Sequence, residues 1–200
     1  MDWWLRVRRV PAICAGLVIC LVLGATADSV QVPVPVFVGG MSFSLPLPFL
    51  LPLAPVFLIL HGQSRADNAI ETTAVRPVAL SDAALMTACT LVMFAGGWLI
   101  STMTGHILAT GMARNFLGYL GLALLLRLLT SPPVAATITA VVPIACAAFG
   151  VHGGIPARWA WPLHEPAHPP AFIAAVALGT AGLAAAVLPL TADRPARRLQ

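Results

Sequence analysis

"HEPAH", residues 164–168, is the stretch whose residue types and spacing come nearest to chemistry. In a zinc protease, two histidines four apart lie on one helical face and hold the metal, while the glutamate between them acts as general base. That geometry needs a helix, and Pro162, Pro166, Pro169 and Pro170 surround this stretch. A proline disfavours the α conformation of the residue before it, here Glu165 and His168. The expectation is a solvated loop, with no metal centre and no catalytic residue. Two alternatives stay open: a zinc protease using His164, Glu165 and His168, and metal binding together with His152.

Other catalytic patterns are missing. The chain has no GxxxxGK[ST] loop, no GxSxG and no lysine, so it cannot itself hydrolyse ATP by a Walker-type mechanism, and no cofactor is expected. Its four cysteines, Cys14, Cys20, Cys89 and Cys146, lie in apolar stretches without metal or disulfide spacing and read as packing residues. Ionisable groups at membrane depth are functional candidates by default. Arg114 and Asn115, opening an apolar run beside His106, are the candidates for a translocation path; Arg127 is placed to snorkel to the membrane surface.

The elements that must position these residues are membrane spans. Of the 200 residues 59% are hydrophobic and 9% charged, and the mean hydropathy is +0.91, which puts the chain in the membrane class. A bilayer core of about 30 Å takes roughly 17 to 25 apolar residues per helix. Six segments qualify, near 10–27, 44–60, 83–104, 114–130, 133–150 and 170–190. The fold class expected is all-α: one polytopic helical bundle over residues 1–200 in the cell membrane. The second span carries Pro46, Pro48, Pro52 and Pro55 and is expected to be kinked and buried. "VQVPVPVFVGG" before it reads as an extended outer loop.

All eleven basic residues are arginines, and nine of them fall on one side if both termini are cytoplasmic, against Arg114 and Arg158 outside. No basic run suggests nucleic acid. Residues 61–82 are then a cytoplasmic segment, and 151–169 an outer loop with Trp159 and Trp161. The first nine residues, "MDWWLRVRR", read as an interfacial stretch. "GATADS" after the first span leaves open a cleaved signal peptide, which would leave five spans.

The 61–82 segment is unusually charged for this chain. Asp67 is placed to cap a short helix, Pro77 to end it and Asp82 to cap the third span. With Glu71 and Arg76 it suits docking against a soluble partner.

Taken together, "MDWWLRVRR", two spans, "IETTAVRP", a third span, "ARNFLGYLGLALL" opening a fourth, a tight turn into a fifth, and "ARWAWPLHEP" before the last resemble the six-span permease of type 2 (ABC-2-like) ATP-binding-cassette exporters, in a compact actinobacterial style. The resemblance implies a coupling helix around Asp67, Glu71 and Arg76 that enters a groove on a cytoplasmic ATPase. It also implies an elbow helix at 1–9 and a unit of two permeases, alike or different, with two ATPases. Alternatives are the substrate-binding membrane subunit of a vitamin-type importer, a membrane metalloprotease using "HEPAH", and a non-catalytic scaffold or immunity protein.

Overall fold

In lipid a backbone N–H has no water to turn to, so long uncharged runs fold as helices that satisfy their own hydrogen bonds. The computed structural model describes residues 2–37, 42–64 and 78–187. In chain order these form α1 (Asp2–Val7), α2 (Val10–Thr26), β1 (Gln31–Pro35), β2 (Ser42–Pro46), a 3-10 turn (Leu47–Phe49), α3 (Leu53–Ser64), α4 (Val78–Thr104), α5 (Leu108–Leu126), α6 (Pro132–Phe149), β3 (Val151–His152), β4 (Ile155–Pro156), a second 3-10 turn (Trp161–Leu163) and α7 (Pro169–Val187).

Among the described residues, five helical segments are long and apolar enough to cross a membrane: Leu47–Ser64, Leu80–Thr104, Leu108–Leu126, Pro132–Phe149 and Pro169–Val187. The expected first span is also a helix, but α2 has 17 residues, fewer than any of these five.

Contacts at the helix ends show that successive long helices alternate in direction. Arg8 meets Asp82 and Gln63 meets Arg127 at one end, while His106 Nδ1 lies 3.0 Å from the Ala25 carbonyl at the other. The first, the polar end, carries α1. The second, the ribbon end, carries β1–β4 and the residues before α7. Helix α5 is the hub: 78% of it is buried inside the bundle, against 22% of α7, which packs chiefly on α5. Glycines set that approach. A Cβ on Gly121 would lie 2.5 Å from the Gly179 nitrogen, and one on Gly182 would lie 2.6 Å from the Gly121 Cα.

Three expectations are corrected. The chain is mostly helical rather than all-α, because "QVPVP" pairs with "SFSLP" as an antiparallel ribbon (Val32 opposite Leu45, Val34 opposite Phe43) instead of running as a free loop. Its period-2 pattern buries Val34 and Leu45 in a small second core with Phe49, Cys146 and Val151. The second span starts at Leu47, and its prolines do not kink a helix interior. Pro46 ends β2, Pro48 lies in the 3-10 turn, and Pro52 and Pro55 lie in the lead-in and first turn of α3, where backbone donors have no intrahelical partner. Finally, α4 begins at Val78, directly after Pro77, so Asp82 lies inside the helix instead of capping it.

Candidate functional site

The ribbon end holds a buried cation. Helix α5 starts at Leu108, so "ILATGMA" runs into the helix, and Arg114 is not at a helix mouth but nearly two turns inside. Arg114 is 1% exposed and Asn115 0%. The guanidinium is held entirely by neutral oxygens. Nε and Nη2 donate to Asn115 Oδ1 at 3.2 and 3.1 Å, Nη1 to the Glu165 carbonyl at 2.8 Å, and Nη2 to the carbonyls of His164 at 2.9 Å and Pro162 at 3.5 Å. Asn115 Nδ2 donates to the same Pro162 carbonyl at 2.9 Å. Among the described residues no carboxylate lies within 4.0 Å of Arg114.

Its backbone acceptors come from one strap, residues 161–168, laid across the end of the bundle. Trp161 presses onto α5 where Gly118 has no side chain; a Cβ there would overlap the ring, lying 2.6 Å from its Cζ3. The Trp161 ring sits 5.4 Å from that of Tyr119, whose hydroxyl donates to the Phe49 carbonyl at 3.2 Å. The strap is not helical beyond its 3-10 turn: His164 is extended, and Pro166 and Pro169 disfavour the α conformation at Glu165 and His168. This aims the carbonyls of Pro162, His164 and Glu165 at the guanidinium instead of along a helix axis.

"HEPAH" therefore lacks the helical face that metal chelation by i, i+4 histidines requires. The His164 and His168 rings stack at 4.1 Å. His164 Nε2 lies 3.1 Å from the Ala157 carbonyl, and the Ala171 N–H points at His168 Nδ1 at 3.4 Å, capping the start of α7. Partial burial lowers the His164 pKa below the ordinary 6.5. The Ala157 hydrogen bond opposes that shift, while His168 and Arg114 add to it. Among the described residues no group of three or more His, Cys, Asp or Glu side chains could hold a metal ion.

Beside the strap opens a cavity of about 480 Å³ lined by Phe49, Leu108, Thr110, Leu163, Glu165 and Pro166, among others. Its lining is apolar apart from Thr110 and Glu165. Thr110 lies about one turn, or ~6 Å, along α5 from Arg114, and strap residues wall the cavity off from the cation.

At the polar end, Asp82 accepts a two-oxygen grip from Arg8 (Nε to Oδ1 2.9 Å, Nη2 to Oδ2 2.6 Å) and the Trp4 indole N–H at 3.2 Å. This joins α1 to α4. Gly62 on α3 lets the Arg8 backbone close in, since a Cβ there would lie 2.5 Å from the Arg8 oxygen. Arg127 donates to Gln63 Oε1 instead of only reaching for the membrane surface. The coupling candidates Asp67, Glu71 and Arg76 lie outside the described residues.

Sequence reasoning thus found Arg114 and Asn115 but not their acceptors, nor Tyr119, Trp161 and the Arg8–Asp82 joint. One signal was legible. Residues 108–113 carry no proline and no charge, which allows a helix to start ahead of Arg114. A backbone carbonyl, which every residue has, leaves no mark in a sequence. No protein-family model matches the chain, and no curated protein or solved structure is detectably similar to it, so the roles of Arg114 and Asn115 rest on their own geometry.

Proposed function

We propose that this chain is the membrane-spanning permease subunit of an ATP-binding-cassette exporter in the cell membrane, driven by a separate cytoplasmic ATPase and paired with a second permease. The observation that most supports this reading is the joint of Arg8, Trp4 and Asp82. It ties α1 to α4 five residues after Pro77, where the charged connection carrying Asp67, Glu71 and Arg76 ends. A push on that connection from a soluble partner would pass into α4 and α1 together, and from α4 into its neighbour α5. Among the described residues Arg6, Arg8, Arg9 and Arg127 lie at the polar end, against Arg114 and Arg158 at the ribbon end, which supports a cytoplasmic polar end.

The test is to tag the protein, extract it in mild detergent and identify what accompanies it. A cytoplasmic ATPase near equal stoichiometry, with transport uncoupled from ATP hydrolysis in Glu71→Ala or Arg76→Ala, is expected. Normal transport in both variants removes the coupling roles, and a lone protein removes the permease reading. The cavity at the ribbon end favours one other reading, the substrate-binding membrane subunit of a vitamin-type importer. Tight binding of a small ligand without any ATPase would establish that one.

A further inference from the structure

We propose that Arg114 and Asn115 form a recognition site for an amphiphilic anion, an alkyl chain ending in a carboxylate or phosphate, and that the strap carbonyls occupy this site until such a ligand displaces them. The inference rests on the proposed transport function and names the class of substrate.

The guanidinium presents two edges. One is held by Asn115 Oδ1, bonded to Nε and Nη2, which fixes the plane and direction of the group. On the other, Nη1 and Nη2 carry the oxygens of Glu165 and His164 at 2.8 and 2.9 Å. Two oxygens side by side on two guanidinium nitrogens is the arrangement in which a carboxylate or phosphate binds arginine. The strap supplies that geometry with dipoles only. An anion would add the full charge that no carboxylate among the described residues provides.

Holding a loop in place does not require a cation inside a membrane bundle. Neutral donors such as the Asn115 amide already bond the same Pro162 carbonyl. A charge at this depth is costly, and an ionisable residue inside a membrane bundle is by default a functional-site candidate.

Access lies through the cavity. Its walls include Leu163, Glu165 and Pro166 of the strap on one side and Leu108 and Thr110 of α5 on the other. Withdrawal of the strap would extend this mostly apolar space by one helical turn to Arg114, with room for a chain beside Phe49 and Leu108. The Glu165 carboxylate on the cavity wall would repel an anion, but it belongs to the strap and leaves with it.

The test measures amide hydrogen exchange of the full-length protein in dodecyl maltoside, with dodecyl phosphate, dodecanoate or inorganic phosphate added. Leu163 and His168, whose amides bond the carbonyls of Ala160 and Glu165, report on the strap. At ligand near ten times its dissociation constant for the strap-open form, about tenfold faster exchange at these amides is expected with either amphiphile. Arg114→Met removes the response. Arg114→Lys, which keeps the charge and the fold but loses the fork, weakens it. Unchanged strap exchange in the native protein, or an equal response in Arg114→Met, overturns the proposal; an equal response to inorganic phosphate overturns its apolar half. Failure of an ATPase to co-purify would sink the permease reading and leave this result standing on its own.

Discussion

Replacing Gly121 with alanine tests whether α5 and α7 touch backbone to backbone. The added Cβ would lie 2.5 Å from the Gly179 nitrogen and overlap the Leu178 carbonyl, whereas ordinary contact begins near 3.4 Å. Backbone cannot rotate aside, so the helices must part by about 1 Å, enough to forfeit a quarter to a half of each dispersion contact along the seam. Helix α7 has little else to hold it, being only 22% buried. Overpacking of this kind costs about 3 kcal/mol, against which alanine recovers about 1 kcal/mol of helix propensity, so a net loss of about 2 kcal/mol is expected. Gly96→Ala is the matched control, because its Cβ meets only the tip of Leu21, at 2.7 Å, and a side-chain tip can turn away. Gly96→Ala keeps the propensity gain without the overpacking, so equilibrium unfolding in bicelles titrated with a denaturing detergent should separate the two variants by about 3 kcal/mol, on the order of 100-fold in unfolding constant. Adding Gly182→Ala to Gly121→Ala should cost less than the two losses combined, because helices already parted accept the second methyl. A Gly121→Ala protein as stable as Gly96→Ala would refute the close approach.

Arg114→Met should leave the bundle folded but loosen the strap. Two charge-assisted bonds are lost while the burial cost of the cation is recovered, a net of about 2 kcal/mol, so exchange at Leu163 and His168 should rise about 30-fold; no change would remove the fastening role. The lowered His164 pKa means the folded strap favours the neutral ring. The stability it contributes is complete above pH 6.5, the ordinary histidine value, and is lost as the pH falls through the lowered folded value. Strap exchange, corrected for intrinsic rates, should therefore accelerate on acidification in the native protein and much less in His164→Gln. An equal acceleration in both would assign the effect to another group. Glu71→Ala and Arg76→Ala should preserve assembly while uncoupling ATP hydrolysis from transport, as measured in vesicles.

Where the sequence misled, a local signal had been read without its partner. Asp82 after Pro77 looks like a helix cap, and capping is its usual use in that setting. Here α4 begins earlier, and the carboxylate instead meets Arg8, 74 residues away along the chain. The valines and prolines of β1 looked like a loop because a lone strand has no ladder; only "SFSLP" opposite supplies one. In the sequence Arg114 opens an apolar run, and "ILATGMA" before it is too short to span by itself. Joined to the apolar run on its C-terminal side, that stretch becomes the first turns of the most buried helix.

Composition and hydrophobic run length alone determined that the chain is a bundle of membrane-length helices, because a bilayer of fixed thickness makes run length a direct measure of crossing. Proline positions also determined that "HEPAH" would not be helical, since that exclusion is steric and local. The tertiary structure decided what Arg114 binds. Its acceptors are carbonyls some 50 residues away, brought over α5 by a strap whose seat depends on Gly118 receiving Trp161 and on Gly121 and Gly182 drawing α7 against α5. Such pairings are set by the distance between packed helices, which no single segment encodes.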